Sequence, residues 1–306
     1  MKVDKQKILI TGHTGFVGSW LYFLLKRKNL DVFGIGLKSK NKNDLFYHLK
    51  IYKDKNSKLL NILDYNKLEK HIIKIKPNII FHLAAESLVL RSLRKPNLSY
   101  KTNIIGTLNI LNLIKKYNFI KTGFFFTTDK VYKNNDLKKK FIENDSLGGD
   151  DPYSGSKSAS EIVINSFFKS FLKKKKIIVI RCGNIIGGGD NGENRIIPDI
   201  IKCIKFKKTL TIRNANSTRP WQHVLDVIYI LYFLIKKTKN QKNFIKIFNI
   251  SSKSKSETVR KIVKEFRKKF SFKYKFLYKK NLEKKYLELN KNKIYKEYKL
   301  KNRFSS

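Results

Sequence analysis

The chain has 306 residues, which is long enough to bury a large core in one domain or in a domain with a smaller partner. Its formal net charge is +45, but the excess is lysine spread along the whole chain, which argues against nucleic-acid binding as the main function. No apolar run approaches the roughly 20 residues of a membrane-spanning helix, and the polar residues 1–7 predict no secretory signal. Cys182 and Cys203 lie in apolar surroundings, which predicts a reduced, cytoplasmic setting.

The first strand and the glycine turn after it predict a dinucleotide site. Residues 7–11 (KILIT) form a short buried-strand pattern, residues 12–18 (GHTGFVG) follow at once, and residues 19–27 are predicted as a helix. Glycines permit a tight turn and a close backbone approach, and the start of the next helix offers unpaired N–H groups to a diphosphate. The alternative is an ordinary strand-to-helix turn, because glycine recurs here at every third position rather than in the commoner spacing.

Strands and helices then alternate along the chain. Strands are predicted over 31–37, 59–63, 78–83, 123–128 and 176–181, and helices over 65–75, 96–117 and 152–171. After residue 182 the pattern predicts helices over 194–208, 221–237 and 257–270 and strands over 209–213 and 246–251.

This alternation predicts an α/β fold, a Rossmann-type doubly wound parallel sheet with a smaller C-terminal substrate-binding domain. We expect residues 1–183 to form the dinucleotide-binding domain, with 216–250 returning to it, and residues 184–306 to bind the substrate. In such a sheet ligands bind outside the carboxyl ends of the strands, where residues 12–18, 84–87 and 128–130 are predicted to lie.

A tyrosine and a lysine four residues apart stand at the start of the helix predicted from residue 152. Tyr153 and Lys157 share one helix face and can reach one ligand together. The pKa of a free phenol is about 10, and a neighbouring ammonium lowers it, which makes tyrosine a usable proton acceptor. The same spacing recurs at Tyr22/Lys26, Tyr117/Lys121, Tyr232/Lys236 and Tyr295/Lys299, so the pair needs its context to be identified as catalytic.

That context resembles the extended short-chain dehydrogenase/reductase family, and within it the CDP-glucose 4,6-dehydratases. The resembling stretches run in the family's order over nearly the whole chain: TGHTGFVGSW (11–20), FHLAA (81–85), TTDKVY (127–132), DPYSGSK (151–157), RCGNIIGGGD (181–190), RIIPDI (195–200) and RPWQHVL (219–225). The GGGD and RPWQH stretches are far more specific than the glycine turn or the Tyr/Lys pair. The resemblance also selects Tyr153/Lys157 among the similar pairs.

The resemblance implies a tightly held NAD and a CDP-hexose substrate. Tyr153 would take the proton from the sugar O4 while hydride leaves C4, and Lys157 would hold the nicotinamide ribose and lower the pKa of Tyr153. Thr128 would hydrogen-bond the O4 region, and Asp129 would act as the general acid on the departing C6 hydroxyl. Lys130 stands where related dehydratases carry a glutamate that removes the C5 proton.

The resemblance also implies binding residues. Those for the cofactor are Gly12, Thr14, Gly15, Phe16, Val17, Gly18, Asn61, Ile62, Leu83, Ala84, Ala85, Asn103 and Thr127, together with Tyr153 and Lys157. Those for the sugar nucleotide are Ser87, Arg91, Asn184, Arg195, Ile197, Arg213, Arg219 and His223. Arginine suits phosphate oxygens because its guanidinium binds them with two parallel hydrogen bonds. For Arg219, a surface ion pair is the alternative.

Several residues depart from the family pattern. Lys38 stands where an acidic residue is expected at the end of the second strand, and Asn61 stands where the family has aspartate, so both bear on NAD selectivity. Glu86 replaces a usual glutamine and Val17 a usual lysine. The chain ends at Ser306, where the family continues into a further helix.

The sequence leaves two classes of alternative to a dehydratase. One is a related sugar-nucleotide enzyme such as a 4-epimerase or a decarboxylase, and the other is a non-enzymatic protein, either an inactive shortened paralogue or a basic binding protein. The stretch Thr128-Asp129-Lys130 argues against the related enzyme, because epimerisation needs no acid for a leaving hydroxyl. No metal site is expected. The helices over 96–117 and 152–171 carry more apolar residues than one buried stripe requires, which with the resemblance predicts a homodimer. These residues are Ile104, Leu108, Leu111, Ile162, Phe167 and Phe168.

Overall fold

The computed structural model describes residues 6–39, 41–136, 138–251, 256–277 and 284–300. Its centre is one parallel sheet of seven strands, which in chain order are β1 Lys7–Thr11, β2 Asp31–Gly36, β3 Ser57–Leu59, β4 Ile79–His82, β5 Thr122–Thr128, β6 Lys176–Cys182 and β7 Phe244–Ile250. Across the sheet they stand in the order β7-β6-β5-β4-β1-β2-β3, and every pairing is parallel. The predicted α/β, Rossmann-type fold is confirmed.

Eleven α-helices are found in the described ranges. They are α1 Phe16–Arg27, α2 Leu45–His48, α3 Tyr65–Ile75, α4 Val89–Arg94, α5 Pro96–Tyr100, α6 Gly106–Lys116, α7 Pro152–Phe171, α8 Ile196–Lys205, α9 Val224–Thr238, α10 Val259–Lys269 and α11 Asn292–Tyr298. Within those ranges no helix combines the length and the apolar character that crossing a bilayer requires.

The sheet separates two hydrophobic cores. One contains side chains of α1, α9 and α11, and the other contains side chains of α3, α6 and α7. In β1, Ile8 and Ile10 belong to the first core and Leu9 to the second. Successive side chains of a strand point to opposite faces, so a strand covered on both faces must be apolar throughout. This explains the continuous apolar runs of the central strands.

Some predicted boundaries were wrong. The helix after the glycine turn begins at Phe16, three residues earlier than predicted, because Gly15 already occupies the N-cap position. The third strand is Ser57–Leu59 rather than 59–63. Residues beyond it form a turn in which Asn61 Oδ1 accepts a hydrogen bond from Leu63 N–H at 3.0 Å, leading into the cap of α3. The helix predicted from residue 221 begins at Val224, because Gln222–His223 pairs with Ile185–Ile186 as a short strand. Helices α2, α4 and α11 were not predicted.

The helix predicted over 96–117 contains one wide π-helical turn at Lys101–Ile105, between α5 and α6. The Asn103 carbonyl in this turn accepts hydrogen bonds from the hydroxyls of Thr107 at 2.6 Å and Ser160 at 2.8 Å. The Asn103 side chain bonds the backbone of Glu86, with N–H to Oδ1 at 2.9 Å, and donates to Ser156 Oγ at 2.9 Å. The turn therefore joins α6, α7 and the loop after β4.

The C-terminal half builds a smaller core beside the sheet. Helices α8 and α10 enclose it with two paired short strands, Leu210–Ile212 and Tyr274–Phe276. Between these elements, α9 packs on α1 and β7 joins the main sheet beside β6. The predicted division into residues 1–183 and 184–306, with 216–250 returning to the first domain, stays a prediction about which segments fold together. The predicted lack of a last helix concerns residues outside the described ranges.

A buried ion pair fixes α7 against the sheet. Arg181 in β6 donates to Glu161 in α7 through Nε and through Nη2, the latter at 2.6 Å, and both side chains are 2% exposed. Thr127 in β5 donates its hydroxyl to Glu161 Oε1 at 2.6 Å, and the guanidinium lies 4.7 Å from the centre of the Tyr132 ring. Removing a charge from water is costly, so each partner depends on the other.

We expect Arg181→Met to lower the free energy of unfolding by about 3–5 kcal/mol, because it leaves Glu161 charged and buried without its partner. The double variant Arg181→Met/Glu161→Leu should lose much less, since no unpaired charge remains. Urea unfolding of both variants measures this.

Glu265→Gln serves as the control, because it removes an exposed partner of Lys268 on α10. An exposed pair of this kind contributes about 0–1 kcal/mol. A double variant that is as unstable as Arg181→Met would contradict the proposed dependence of each charge on the other.

Candidate active site

One cavity of about 700 Å³ opens at the carboxyl ends of the main-sheet strands and extends to the C-terminal half. Its wall brings together residues from the glycine turn, the ends of β2, β4, β5 and β6, the start of α7 and the segment around α8. Of the predicted site residues it is lined by Gly12, Thr14, Gly15, Phe16, Val17, Gly18, Asn61, Ile62, Leu83, Ala84, Ala85, Ser87, Arg91, Thr127, Thr128, Asp129, Lys130, Tyr153, Lys157, Asn184, Arg195, Ile197, Arg213 and Arg219.

The glycine turn forms a cradle at one end of the cavity. Gly12 has φ +76°, and a Cβ there would lie 2.7 Å from the Ala84 nitrogen. A Cβ on Gly18 would lie 2.1 Å from the Gly12 oxygen, whereas one on Gly15 would meet nothing closer than 3.4 Å. The start of α1 has no side-chain cap and no acidic residue in its first turn. The first N–H groups of α1 are therefore not occupied by a capping side chain, and the glycines let a ligand approach the backbone. Both features fit the diphosphate of a dinucleotide.

The start of α7 is held by several local contacts. Asp151 caps it by accepting hydrogen bonds from the Ser154 N–H at 3.0 Å and the Ser154 hydroxyl at 2.6 Å, and Pro152 occupies the first turn. The Tyr153 N–H donates to Ser92 Oγ of α4 at 3.1 Å. One turn further along, Lys157 donates from Nζ to the Phe126 carbonyl of β5 at 2.7 Å. Tyr153 and Lys157 are thereby fixed side by side in the cavity wall.

The electrostatics of this pair differ from the expectation. Burial raises the pKa of Tyr153 to about 12, and a hydrogen bond with Thr128 opposes this only in part. Burial also lowers the pKa of Lys157 to about 8, and the carboxylate of Glu161 counteracts this shift. In the protein by itself the expected lowering of the Tyr153 pKa by Lys157 is outweighed, because removal of both groups from water dominates.

Asp129 is a buried carboxyl group in the same cavity wall as this pair. It is 3% exposed at the end of β5, and its Oδ1 accepts a hydrogen bond from the Thr128 hydroxyl at 3.0 Å. Its Oδ2 is buried and has no hydrogen-bond partner among the described residues. Burial raises the pKa of Asp129, against the opposing charges of Lys130 and Arg219. Burial therefore favours the neutral form of this carboxyl group.

Two predicted site residues do not line the cavity. Asn103 is buried behind the wall, because its amide is bonded to the backbone of Glu86 and to Ser156. It supports the loop that carries Ala84 and Ala85. His223 caps α9, where its Nδ1 accepts a hydrogen bond from the Leu225 N–H at 3.3 Å.

The other end of the cavity is rich in arginine. Arg195 donates to Asp190 Oδ1 at 3.0 Å, and Arg213 donates to Asn194 Oδ1 at 2.9 Å. Arg219 is buried and donates to the Thr218 carbonyl at 2.9 Å, so a surface ion pair does not describe it. On the β4 side, Arg91 forms an ion pair with Glu86 at 3.2 Å. Several cations thus surround the space where an anionic ligand can lie.

Sequence reasoning missed some contributors to the cavity. Asp190, Glu193 and Asp199 line the arginine-rich end, and burial raises the pKa of Asp199. Arg94 of α4 also lines the wall. Asp190 could have been predicted from the sequence, because it is the last residue of the GGGD stretch. Asp199 faces the cavity only because α8 packs on the smaller core, which periodicity alone does not reveal.

Comparison with known proteins gives consistent results. The model of the family described as GDP-mannose 4,6 dehydratase matches residues 9–302. A CDP-glucose 4,6-dehydratase of Salmonella typhimurium is 38% identical over 228 residues, covering 72% of this chain and 64% of the relative. A dTDP-D-glucose 4,6-dehydratase of Dictyostelium discoideum is 32% identical over 259 residues, covering 76% of this chain and 56% of the relative. The chain thus spans less than two thirds of the length of these relatives.

Solved structures share the fold at low identity. UDP-glucose 4-epimerase of Thermotoga maritima, solved with UDP-glucose, has a TM-score of 0.84 at 22% identity, covering 98% of this chain and 94% of that one. The dTDP-glucose 4,6-dehydratase of Bacillus anthracis, solved with NAD, has a TM-score of 0.82 at 22% identity, covering 98% and 92%. Because the family model matches residues 9–302, which is nearly the whole chain, the chain belongs to the GDP-mannose 4,6-dehydratase family of extended short-chain dehydrogenases/reductases.

Proposed function

We propose that this protein is an NAD-dependent nucleotide-hexose 4,6-dehydratase and that it converts CDP-glucose to CDP-4-keto-6-deoxyglucose. The observation that carries the proposal is Asp129, a buried carboxyl group with a raised pKa in the same cavity wall as Tyr153 and Lys157. The CDP-glucose 4,6-dehydratase relative supports the choice of base and sugar. The arginine-rich end of the cavity supports a ligand with a diphosphate.

The glycine cradle and the lysine would hold the cofactor. The N–H groups at the start of α1 would bind the diphosphate of NAD, and Lys157 would contact the nicotinamide ribose. When bound, NAD supplies the group that accepts a hydride from C4 and returns it to C6. Because the hydride goes back to the same substrate, no external reductant is consumed.

Tyr153 would accept the proton from the sugar O4 during oxidation at C4. With a pKa of about 12 the phenol is a poor base at neutral pH in the protein alone. A positive charge placed beside a buried phenol stabilises the phenolate and lowers that pKa. The cationic nicotinamide and the ammonium of Lys157 would together supply this charge, so proton transfer would be coupled to an occupied cofactor site.

Asp129 would act as the acid of the dehydration step. After oxidation the C4 carbonyl acidifies the proton on C5, and loss of that proton expels the hydroxyl from C6. Hydroxide is a poor leaving group, so a proton must be delivered as the C–O bond breaks. We assign this proton to Asp129. Removal of the C5 proton is assigned to the neighbouring Lys130 acting as the neutral amine, because an ammonium cannot accept a proton. Return of hydride to C6 and of a proton to C5 completes the net loss of one water molecule.

A direct test incubates the purified protein with CDP-glucose, dTDP-glucose, UDP-glucose and GDP-mannose, and detects 4-keto-6-deoxy products by mass spectrometry. We expect CDP-glucose to lose the mass of one water molecule, with no need for added reductant. Interconversion of glucose and galactose without loss of water would instead identify a 4-epimerase. No reaction with any of the four sugars would support an inactive paralogue.

The division of labour between Tyr153 and Asp129 gives a second prediction. Asp129→Asn should still form bound NADH on addition of CDP-glucose, since oxidation at C4 does not need this carboxyl group. Its product formation should fall by about 10²–10⁴-fold, the usual contribution of a general acid. Tyr153→Phe should suppress the NADH signal itself. Absorbance at the NADH band and product analysis separate the two steps.

Wild-type turnover by Asp129→Asn would place the acid elsewhere and leave Asp129 with a structural role. Failure of both variants at the same step would contradict separate roles for the two residues.

We propose that the active form is a homodimer in which α6 and α7 of two copies pack together. Ile162 on α7 is 60% exposed, and Phe171 at the end of α7 and Ile105 just before α6 are also exposed. Of the residues predicted for this face, Leu111 is buried in the protein's own core, while Ile104, Leu108, Phe167 and Phe168 are partly exposed. Exposed apolar side chains on neighbouring helices are typical of an interface between subunits.

Light scattering at micromolar concentration should give the mass of a dimer for the wild-type protein. Ile162→Glu should shift the mass toward a monomer, because it places a charge in the proposed interface. Ile73→Glu is the matched control, since Ile73 is an exposed isoleucine on α3. A monomeric wild-type protein would contradict the proposal, as would a dimer unaffected by Ile162→Glu.

A further inference from the structure

The end of the cavity that would hold the adenosine ribose lacks a carboxylate in its wall, among the described residues. Gly36 and Leu37 at the end of β2 line the wall there, together with Asn61. No aspartate or glutamate lines this end in the described part of the chain. The four carboxyl groups that do line the cavity, Asp129, Asp190, Glu193 and Asp199, lie at β5 or beyond.

A dinucleotide with a free ribose 2′-hydroxyl is normally held by a carboxylate at the end of the second strand, whereas a cation there accommodates a 2′-phosphate. In this chain Lys38 directly follows the cavity-lining Leu37, and its side chain is exposed beside the wall rather than part of it. The nearest downstream carboxylate is Asp44. It accepts hydrogen bonds from the Ser39 hydroxyl and, at 3.3 Å, from the Asn191 amide, and it does not line the cavity.

Other polar groups at this corner can accept a phosphate. Thr14 of the glycine turn lines the cavity close to the end of β2. Its Oγ1 would lie 2.8 Å from a Cβ on Gly36, the last residue of that strand. The Asn61 side chain is exposed, and its Oδ1 accepts a hydrogen bond from the Leu63 N–H. In the described ranges no carboxylate lines this part of the cavity wall, so the NH₂ group of Asn61 can donate to a ligand. A hydroxyl, an amide and an ammonium are all donors to phosphate oxygens.

From this arrangement we infer that the protein does not discriminate against a 2′-phosphate and binds NADP at least as tightly as NAD, with Lys38 as the residue that determines this. The inference rests on the proposed dinucleotide site and adds which dinucleotides that site admits. A phosphate monoester carries about two negative charges, so its attraction to Lys38 should weaken as salt is added.

The test measures dissociation constants for NAD⁺ and NADP⁺ by calorimetry, without sugar nucleotide, on protein from which bound nucleotide has been removed. We expect the two constants to be equal or NADP⁺ to bind more tightly, with NADP⁺ more sensitive to salt. Lys38→Asp should weaken NADP⁺ binding relative to NAD⁺ by about 10- to 100-fold, because it replaces an attraction by a repulsion. Lys38→Ala should give a smaller change in the same direction.

Lys70→Asp on α3 makes the same change in net charge at an exposed position outside the cavity wall, and it should leave the ratio unchanged. The inference is overturned if the wild-type protein prefers NAD⁺ by more than about tenfold, or if Lys38→Asp leaves the ratio unaltered. Binding of neither dinucleotide would contradict the proposed function instead. The binding assay needs no turnover, so the two failures are distinguishable.

Discussion

The site depends on the ion pair between Arg181 and Glu161. A guanidinium and a carboxylate removed from water stabilise each other only in good geometry, and here several hydrogen bonds join them. Their positions on β6 and α7 fix the helix at a defined height above the sheet. Because Thr127 also bonds Glu161, the end of β5 is tied to the same point. The chemistry-bearing residues of both elements thus share one rigid support.

The strands could be predicted because the sheet is covered on both faces. Residues 177–180 are apolar throughout because they lie between two helical layers. Turn residues were harder. Leu59 and Leu63 both favour a strand, but a hydrogen bond within the turn, from Leu63 N–H to Asn61, ends it at Leu59. Short helices such as α4 depend on tertiary contacts, which leave no period in the sequence.

For the site, the sequence indicated which residues meet but not the balance of charge among them. The glycine turn, Asp129 and the Tyr153/Lys157 pair follow from motifs, and the structure places them around one cavity. The pKa values of Tyr153 and Lys157 depend on how deeply each group is buried, and burial is set by the whole fold. Asn103 shows a related limit: a polar residue predicted to touch a ligand instead satisfies the backbone of a loop.

The π-helical turn at Lys101–Ile105 also constrains how this protein can change. Such a turn is equivalent to one extra residue in a regular helix, and one residue corresponds to a rotation of about 100° about the helix axis. Asn103 within the turn and Ile110 after it are both buried. Deleting one residue here would restore ideal helical geometry and yet turn one half of the helix away from its partners. Substitutions can accumulate along this segment, whereas changes in its length cannot.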